Sequence, residues 1–203
     1  ANNRAAAQAR GDILLFLNND TVTTGDFVTP VLREFDADPA LGVVGPMLAN
    51  RDGTFQLSSG LLPTVRVECV DKVLYSLLRR RWGPAMRYAE RARRGRTVQW
   101  VTGAALFIRS DVFRQLGGFD ERFFMFFEDK DLCARALRKG YRVKYVSTPS
   151  LTHLGGGSSG TRREEIEKIY RQSQIVYYEK HRPKVEQAFM KVYLRLAGKA
   201  PEE

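Results

Sequence analysis

Two adjacent carboxylates, Glu128 and Asp129, stand where a dense aromatic block gives way to a helical pattern. The stretch reads Gly-Gly-Phe-Asp-Glu-Arg-Phe-Phe-Met-Phe-Phe-Glu-Asp-Lys-Asp-Leu over residues 117–132. From Asp129 onward Leu132, Cys133, Ala136 and Leu137 share one helical stripe, and Gly140 suits the stop. Carboxylates in a first helical turn face the positive end of the macrodipole and ionise easily. In a cleft, such a group suits proton abstraction from an alcohol. The competing reading is an acidic helix cap backed by i,i+4 pairs such as Asp131 with Arg135.

Two further places could do chemistry. The apolar run Ile-Leu-Leu-Phe-Leu, residues 13–17, ends in Asn18-Asn19-Asp20-Thr21. Ligands of open α/β sheets collect beyond the carboxyl ends of strands. A carboxylate there, with amide oxygens beside it, suits a hard cation on a substrate diphosphate. A plain polar turn is the alternative. His153 precedes a glycine-serine stretch, residues 155–160, that packing does not explain. Such a loop can wrap phosphates with its backbone N–H groups or close over a substrate.

The elements that must position these residues read as α/β. The run at 13–17 is continuous, the form of a parallel strand buried on both faces. A helix is expected over residues 26–35, a buried strand over 42–48, a turn at Arg51-Asp52-Gly53 and a short strand near 55–57. Apolar residues at helical spacing from Val67 to Leu78 predict an amphipathic helix. Arg79-Arg80-Arg81-Trp82 follows it, and a second basic cluster stands at Arg91, Arg93, Arg94 and Arg96. Residues 98–109 read as a strand interrupted at Gly103-Ala104, where small residues permit close approach. Ser110 is expected to cap a short helix to Leu116. A strand over 142–146 closes at Pro149, and two amphipathic helices finish the chain.

Composition narrows the function classes. At 203 residues the chain is long enough for one domain with a sizeable core. Its two cysteines, Cys69 and Cys133, have neither metal spacing nor a disulfide framework, which fits a reducing cytosol. No apolar run approaches the roughly 20 residues that span a bilayer. A formal charge of +10 points to an anionic partner. The basic clusters suit phosphate-bearing acceptors or peripheral contact with an anionic membrane. A non-catalytic basic module for membrane or nucleic acid is the competing class. No nucleic-acid motif accompanies the arginines, and the aromatics from Phe123 to Phe127 read as buried, so nucleic acid is not expected.

Taken in order, Asn-Asn-Asp-Thr after a strand, Trp-Val-Thr-Gly-Ala, the Gly-Gly-Phe-Asp to Glu-Asp-Lys-Asp-Leu-Cys stretch and His-Leu-Gly-Gly-Gly-Ser-Ser form one pattern. It resembles the family 2 inverting glycosyltransferases of the GT-A fold, particularly bacterial rhamnosyltransferase-like members, over about residues 2–180. The resemblance implies a Rossmann-like, mostly parallel sheet flanked by helices. It assigns residues 1–160 to a partial GT-A domain and 161–203 to a helical segment packed on that domain or on a partner. It implies that Asp129 is the catalytic base, with Glu128 positioning acceptor or base. Asn18-Asn19-Asp20 falls at the family's DXD position, with Asp20 holding a divalent cation, Mn²⁺ or Mg²⁺, and His153 completing its shell. Asn18 replaces the first aspartate of that motif. Gly103 and Ala104 match a segment lining the sugar and acceptor pocket, bordered by Trp100. The implied partners are a nucleotide-diphosphate sugar donor and a glycan or lipid-linked acceptor of cell-surface polysaccharide synthesis.

Family members begin with a strand-helix-strand unit that holds the nucleotide, whereas this sequence opens on Ala-Asn-Asn-Arg and an alanine-rich helical stretch. The expectation is therefore an N-terminally truncated domain that keeps the catalytic parts and lacks much of the donor site, and whose open sheet edge favours a homo-oligomer.

Overall fold

A computed structural model describes residues 1–92, 94–154 and 163–197. The glycine-serine stretch 155–160 and Arg93 of the second basic cluster lie outside the described residues. In chain order the elements are α1 (Asn2–Gln8), β1 (Ile13–Leu17), β2 (Thr21–Thr23), α2 (Val28–Ala37), β3 (Leu41–Ala49) and β4 (Ser59–Gly60). They continue as α3 (Val65–Arg79), α4 (Gly83–Ala92), β5 (Arg96–Val98), β6 (Trp100–Val101), β7 (Ala105–Arg109) and α5 (Ser110–Gln115). Then come α6 (Glu128–Arg138), β8 (Arg142–His153), α7 (Arg163–His181) and α8 (Lys184–Leu196).

The main sheet is mixed, ordered β1-β7-β3-β8-β2, with β5 also paired to β8. β1, β3 and β8 run in one direction, but β7 lies between β1 and β3 antiparallel to both. Only β3 with β8 forms a parallel ladder among the described strands. The sheet is therefore less parallel than the sequence suggests. β1 is an edge strand paired with β7, and its Leu15 and Leu17 are exposed, so its continuous apolar run reports neither burial on both faces nor strand direction. β7 returns through the long excursion of α3 and α4. Burial of β3 bears out its run, with Val43, Val44 and Leu48 inaccessible to solvent. Its glycine at 45 is obligatory, because a Cβ there would stand 2.5 Å from the Val101 side chain. A second ladder, β4 with β6, crosses above this strand.

Apolar clusters fill both faces. One joins Leu106, Ile108 and Val143 to Leu132, Cys133 and Ala136 of α6. The other joins Val31 and Phe35 of α2 to Val44, Leu48 and Phe107. Burial pushes the Cys133 thiol up to about 12, so it packs as an apolar residue.

Several expectations need correction. β8 does not close at Pro149 but continues to His153, and its pairing with β3 shifts register between Pro46 and Leu48. The strand expected near 55–57 is a single bridge between Phe55 and Ala49. Ser110 does not cap α5; its hydroxyl donates to the carbonyl of Gly11 instead. Phe124 is 84% exposed, unlike Phe123 and Phe127 on either side. α4 was not read from the sequence, because its buried face is only Ala85, Ala89 and Ala92 and leaves no bulky apolar stripe.

The last two helices pack onto the aromatic block. Phe123 and Phe127 share a cluster with Tyr177, Tyr178, Met190 and Leu194. No described helix is long and apolar enough to cross a membrane.

Candidate active site

The first turn of α6 is aimed by a strained turn. Phe126 and Phe127 both adopt left-handed backbone, at φ 68° and 65°. Non-glycine residues with side chains of this size rarely take that conformation, and it costs on the order of 1–3 kcal/mol per residue. α7 compensates for it by packing. The Phe127 ring sits 5.2 Å from that of Tyr170 and 5.4 Å from that of Tyr177. Phe126 also stacks on Tyr170, and the Ser173 hydroxyl donates to the Met125 carbonyl at 2.7 Å. The C-terminal helices thus hold the turn from which Glu128 and Asp129 project.

Three carboxylates occupy that turn in different surroundings. Asp129 accepts the Gly103 N–H at 2.8 Å through Oδ2 and the Lys130 N–H at 2.7 Å through Oδ1. Glu128 is largely buried, and its Oε2 has no protein hydrogen-bond partner. Burial first, then the charge of Asp129, pushes Glu128 up to about 7. Asp131 is wholly buried and meets His181 Nε2 at 2.7 Å, Lys180 Nζ at 2.6 Å and Arg135 at 2.7 Å. Burial works against its ionisation, but these three donors prevail and hold its carboxyl below the usual range. The expected i,i+4 pair of Asp131 with Arg135 is present, as part of a buried ionic cluster joining α6 to α7.

The second half of the site lies at the carboxyl ends of β1 and β8. Asp20 Oδ1 stands 3.3 Å from His153 Nε2. β2 and β8 make that proximity structural, since Thr21 pairs with His153 and the Leu154 N–H donates to the Asp20 carbonyl at 2.8 Å. Asn18 brings its side-chain amide within 3.5 Å of the same imidazole nitrogen. Asn19 is exposed in the turn between β1 and β2. The other imidazole nitrogen, Nδ1, faces the Gln56 amide at 3.2 Å. Sequence reasoning did not find Gln56. A glutamine just past a turn carries no signal until the fold sets it beside His153.

One segment ties the halves together. The Gly103 N–H fixes Asp129, while the carbonyl of Ala104 accepts the Asn18 N–H at 2.9 Å. Ala104 is buried, and a Cβ on Gly103 would stand 3.5 Å from that of Asp129, ordinary contact distance. Trp100 is half-buried in β6 with Lys130 Nζ 4.8 Å from its ring centre. Gly103 and Ala104 therefore connect Asp129 to the turn that carries Asn18, Asn19 and Asp20, and Asp20 in turn meets His153.

Among the described residues no three His, Cys, Asp or Glu side chains gather as a metal cluster. Asp20 and His153 nevertheless fit a cation shared with a ligand. Mg²⁺-type ions commonly take one or two protein groups and fill the rest of their shell with phosphate oxygens and water. An imidazole in the set suits Mn²⁺.

Comparison with known proteins identifies the family and the fold. An N-acetylglucosaminyl-diphospho-decaprenol L-rhamnosyltransferase of Mycobacterium tuberculosis is 33% identical over 123 residues, 60% of this chain and 40% of that protein. The O-antigen biosynthesis protein RfbC of Myxococcus xanthus is 34% identical over 152 residues, 75% of this chain and 12% of the relative. The chain thus spans well under half the length of these relatives. In structure, the mannosyltransferase PcManGT of Pyrobaculum calidifontis, in complex with GDP-Man and Mn²⁺, superimposes with a TM-score of 0.51 at 16% identity. That match covers 96% of this chain and 48% of the mannosyltransferase, and it establishes the GT-A fold. Residues 13–191 match the family described as glycosyl transferase family group 2, and the chain belongs to it.

Proposed function

We propose that the protein is a metal-dependent inverting glycosyltransferase that moves a sugar from a nucleotide-diphosphate donor to a glycan or lipid-linked acceptor in cell-surface polysaccharide synthesis. The observation that carries this reading is the 102–104 segment, which fixes the carboxylate of Asp129 at one end and the Asn18–Asp20 turn at the other. The names of the relatives supply the chemistry: a rhamnosyltransferase acting on a diphospho-decaprenol sugar, and an O-antigen biosynthesis protein.

Asp129 acts as the base. Each of its oxygens accepts one backbone N–H and keeps a lone pair for the acceptor hydroxyl. It takes that proton as the hydroxyl oxygen bonds to the anomeric carbon, on the face opposite the departing nucleoside diphosphate, which gives inversion. Glu128, with an unpartnered oxygen and a carboxyl that stays partly protonated near neutrality, hydrogen-bonds the acceptor and sets its angle. Asp20 and His153 would hold Mn²⁺ or Mg²⁺, which supplies charge neutralisation for the leaving diphosphate when bound. Asn18, carrying no charge, leaves the donor's anion less opposed than an aspartate would. Gly103 and Ala104 line the sugar pocket, and Trp100 borders it.

The test is transfer itself. Radiolabelled sugar should pass from a nucleotide-diphosphate donor to a diphosphate-linked lipid acceptor with Mn²⁺ present, and nuclear magnetic resonance should report the opposite anomeric configuration in the product. Retention of configuration would remove Asp129 from the role of a single base.

A further inference from the structure

Helix α3 is amphipathic, fifteen residues long, and contains no buried residue. An apolar stripe normally packs onto the sheet. Here it faces open space, a cavity of about 1130 Å³ between α3, α4 and the β4–β6 ladder. Its walls are Val67, Val70, Leu74 and Leu77 of α3 and Tyr88 of α4, with Trp100 of β6 at one end. The surrounding apolar exposure is large: Val70 is 64% exposed, Leu61 58% and Trp82 51%. Soluble surfaces rarely leave so contiguous an apolar patch without a ligand or partner.

Two observations say what covers it. The first is continuity with the catalytic turn. Trp100 lines the cavity and carries Lys130 over its ring, while the backbone N–H of Lys130 holds Asp129. The second is charge. Arg66 and Arg96 line the cavity, and Arg79, Arg80 and Arg81 follow where α3 ends. Arg182 is engaged by Glu186, which leaves Asp71 as the cavity's other carboxylate, under the influence of Lys130. An apolar trough with a basic margin, opening beside the base, matches an anionic head on a long hydrocarbon tail. A protein partner would have no reason to end at Trp100.

We propose that this cavity holds the hydrocarbon chain of a diphosphate-linked lipid acceptor, laid from Trp100 along α3 with Arg66 and Arg96 towards its phosphates. The inference rests on the transferase reading and names the acceptor class for the same site.

Calorimetric titration of the protein with inorganic diphosphate, isopentenyl diphosphate and farnesyl diphosphate tests it without any turnover. Each methylene buried from water adds about fourfold in affinity. Farnesyl diphosphate should therefore bind at least tenfold more tightly than isopentenyl diphosphate, even with part of its chain exposed. Val70→Asp, on an exposed wall position, should remove that gain with helix content unchanged by circular dichroism. Val73→Asp is the control: Val73 is 60% exposed on the same helix but does not line the cavity. It should leave the chain-length gain intact. Equal affinity for the two isoprenyl diphosphates would overturn the proposal. Equal damage from both variants would also overturn it, and would mark α3 as a general membrane or protein contact. If instead the transferase reading is at fault, chain-length-dependent binding persists while sugar transfer is absent.

Discussion

The two halves of the site are built to different standards. At the start of α6 each carboxylate is fixed by several contacts. Asp129 is pinned by two backbone N–H groups, Asp131 by Lys180, Arg135 and the His181 imidazole, and the preceding turn by the rings of α7. At the other half, Asp20 is 40% exposed, and its partner His153 meets the side-chain amides of Gln56 and Asn18. On the roles proposed for these residues, the difference is chemical. A base must already point at its proton when the acceptor arrives, because misplacement is paid in rate. A cation shell that shares its ligands with a diphosphate is completed only when the donor binds, so fewer protein contacts suffice.

Breaking the well-fixed half should have the largest effect. Asp129→Asn preserves shape but cannot accept the acceptor's proton, and loss of a general base costs about 10²–10⁴ in rate. Single-turnover transfer should fall by that amount while donor binding, followed by titration, stays near wild type. Turnover within a few-fold of wild type would make Asp129 a helix cap only. Asp131→Ala comes next. It strands His181, Lys180 and Arg135 in the interior, and breaking a buried ionic cluster costs about 3–5 kcal/mol of stability. Urea unfolding measures it; a loss below about 1 kcal/mol, the level of an exposed pair, would show that the cluster is not buried in solution.

The same contrast explains what could be read in the sequence. β3 and the stripe of α6 were legible because burial leaves apolar periodicity, and Gly140 ends α6 at φ 88° as its type suggests. β1 was legible as a strand but not as the exposed edge it forms. Glu128, Asp129, Asp20 and His153 stood out as candidates by their places at a helix start, after a strand and before a glycine-rich stretch, and by the order of those motifs. Their supports were not. Asp131 reads as one more surface charge on Glu-Asp-Lys-Asp until His181, fifty residues on, closes over it. Two consecutive left-handed phenylalanines have no local signature, since only the rings of α7 make that turn tolerable. Strand direction escaped for the same reason: the antiparallel insertion of β7 depends on where α3 and α4 lead the chain.

The loosely held half should respond to Gln56, whose side-chain amide meets His153. Partners that orient a ligating histidine typically contribute 10–100-fold in metal affinity or activity. Gln56→Ala should raise the Mn²⁺ concentration for half-maximal donor binding by about that factor, without changing the stability or the single-turnover rate at saturating metal. An unchanged metal titration would mean that the imidazole is held by β2 and β8 alone.

The smallest effect concerns Glu128 and sharpens the claim that its half of the site is built in advance. Its carboxyl is raised in the folded protein to about 7 from the ordinary 4.5, by burial and then by Asp129. The folded state therefore holds more protons than the unfolded chain between those two values. Stability from this group is fully present below pH 4.5 and is lost as pH rises through about 7. The slope for one proton is at most about 1.4 kcal/mol per pH unit. Glu128→Gln cannot ionise, so its urea midpoint should decline less than that of wild type between pH 5 and pH 8. Asp129→Asn removes the neighbouring charge but leaves the burial, so it should move the decline to lower pH without abolishing it. Parallel pH profiles for wild type and Glu128→Gln would show that Glu128 is solvated, and the acceptor would then have to be positioned by another group.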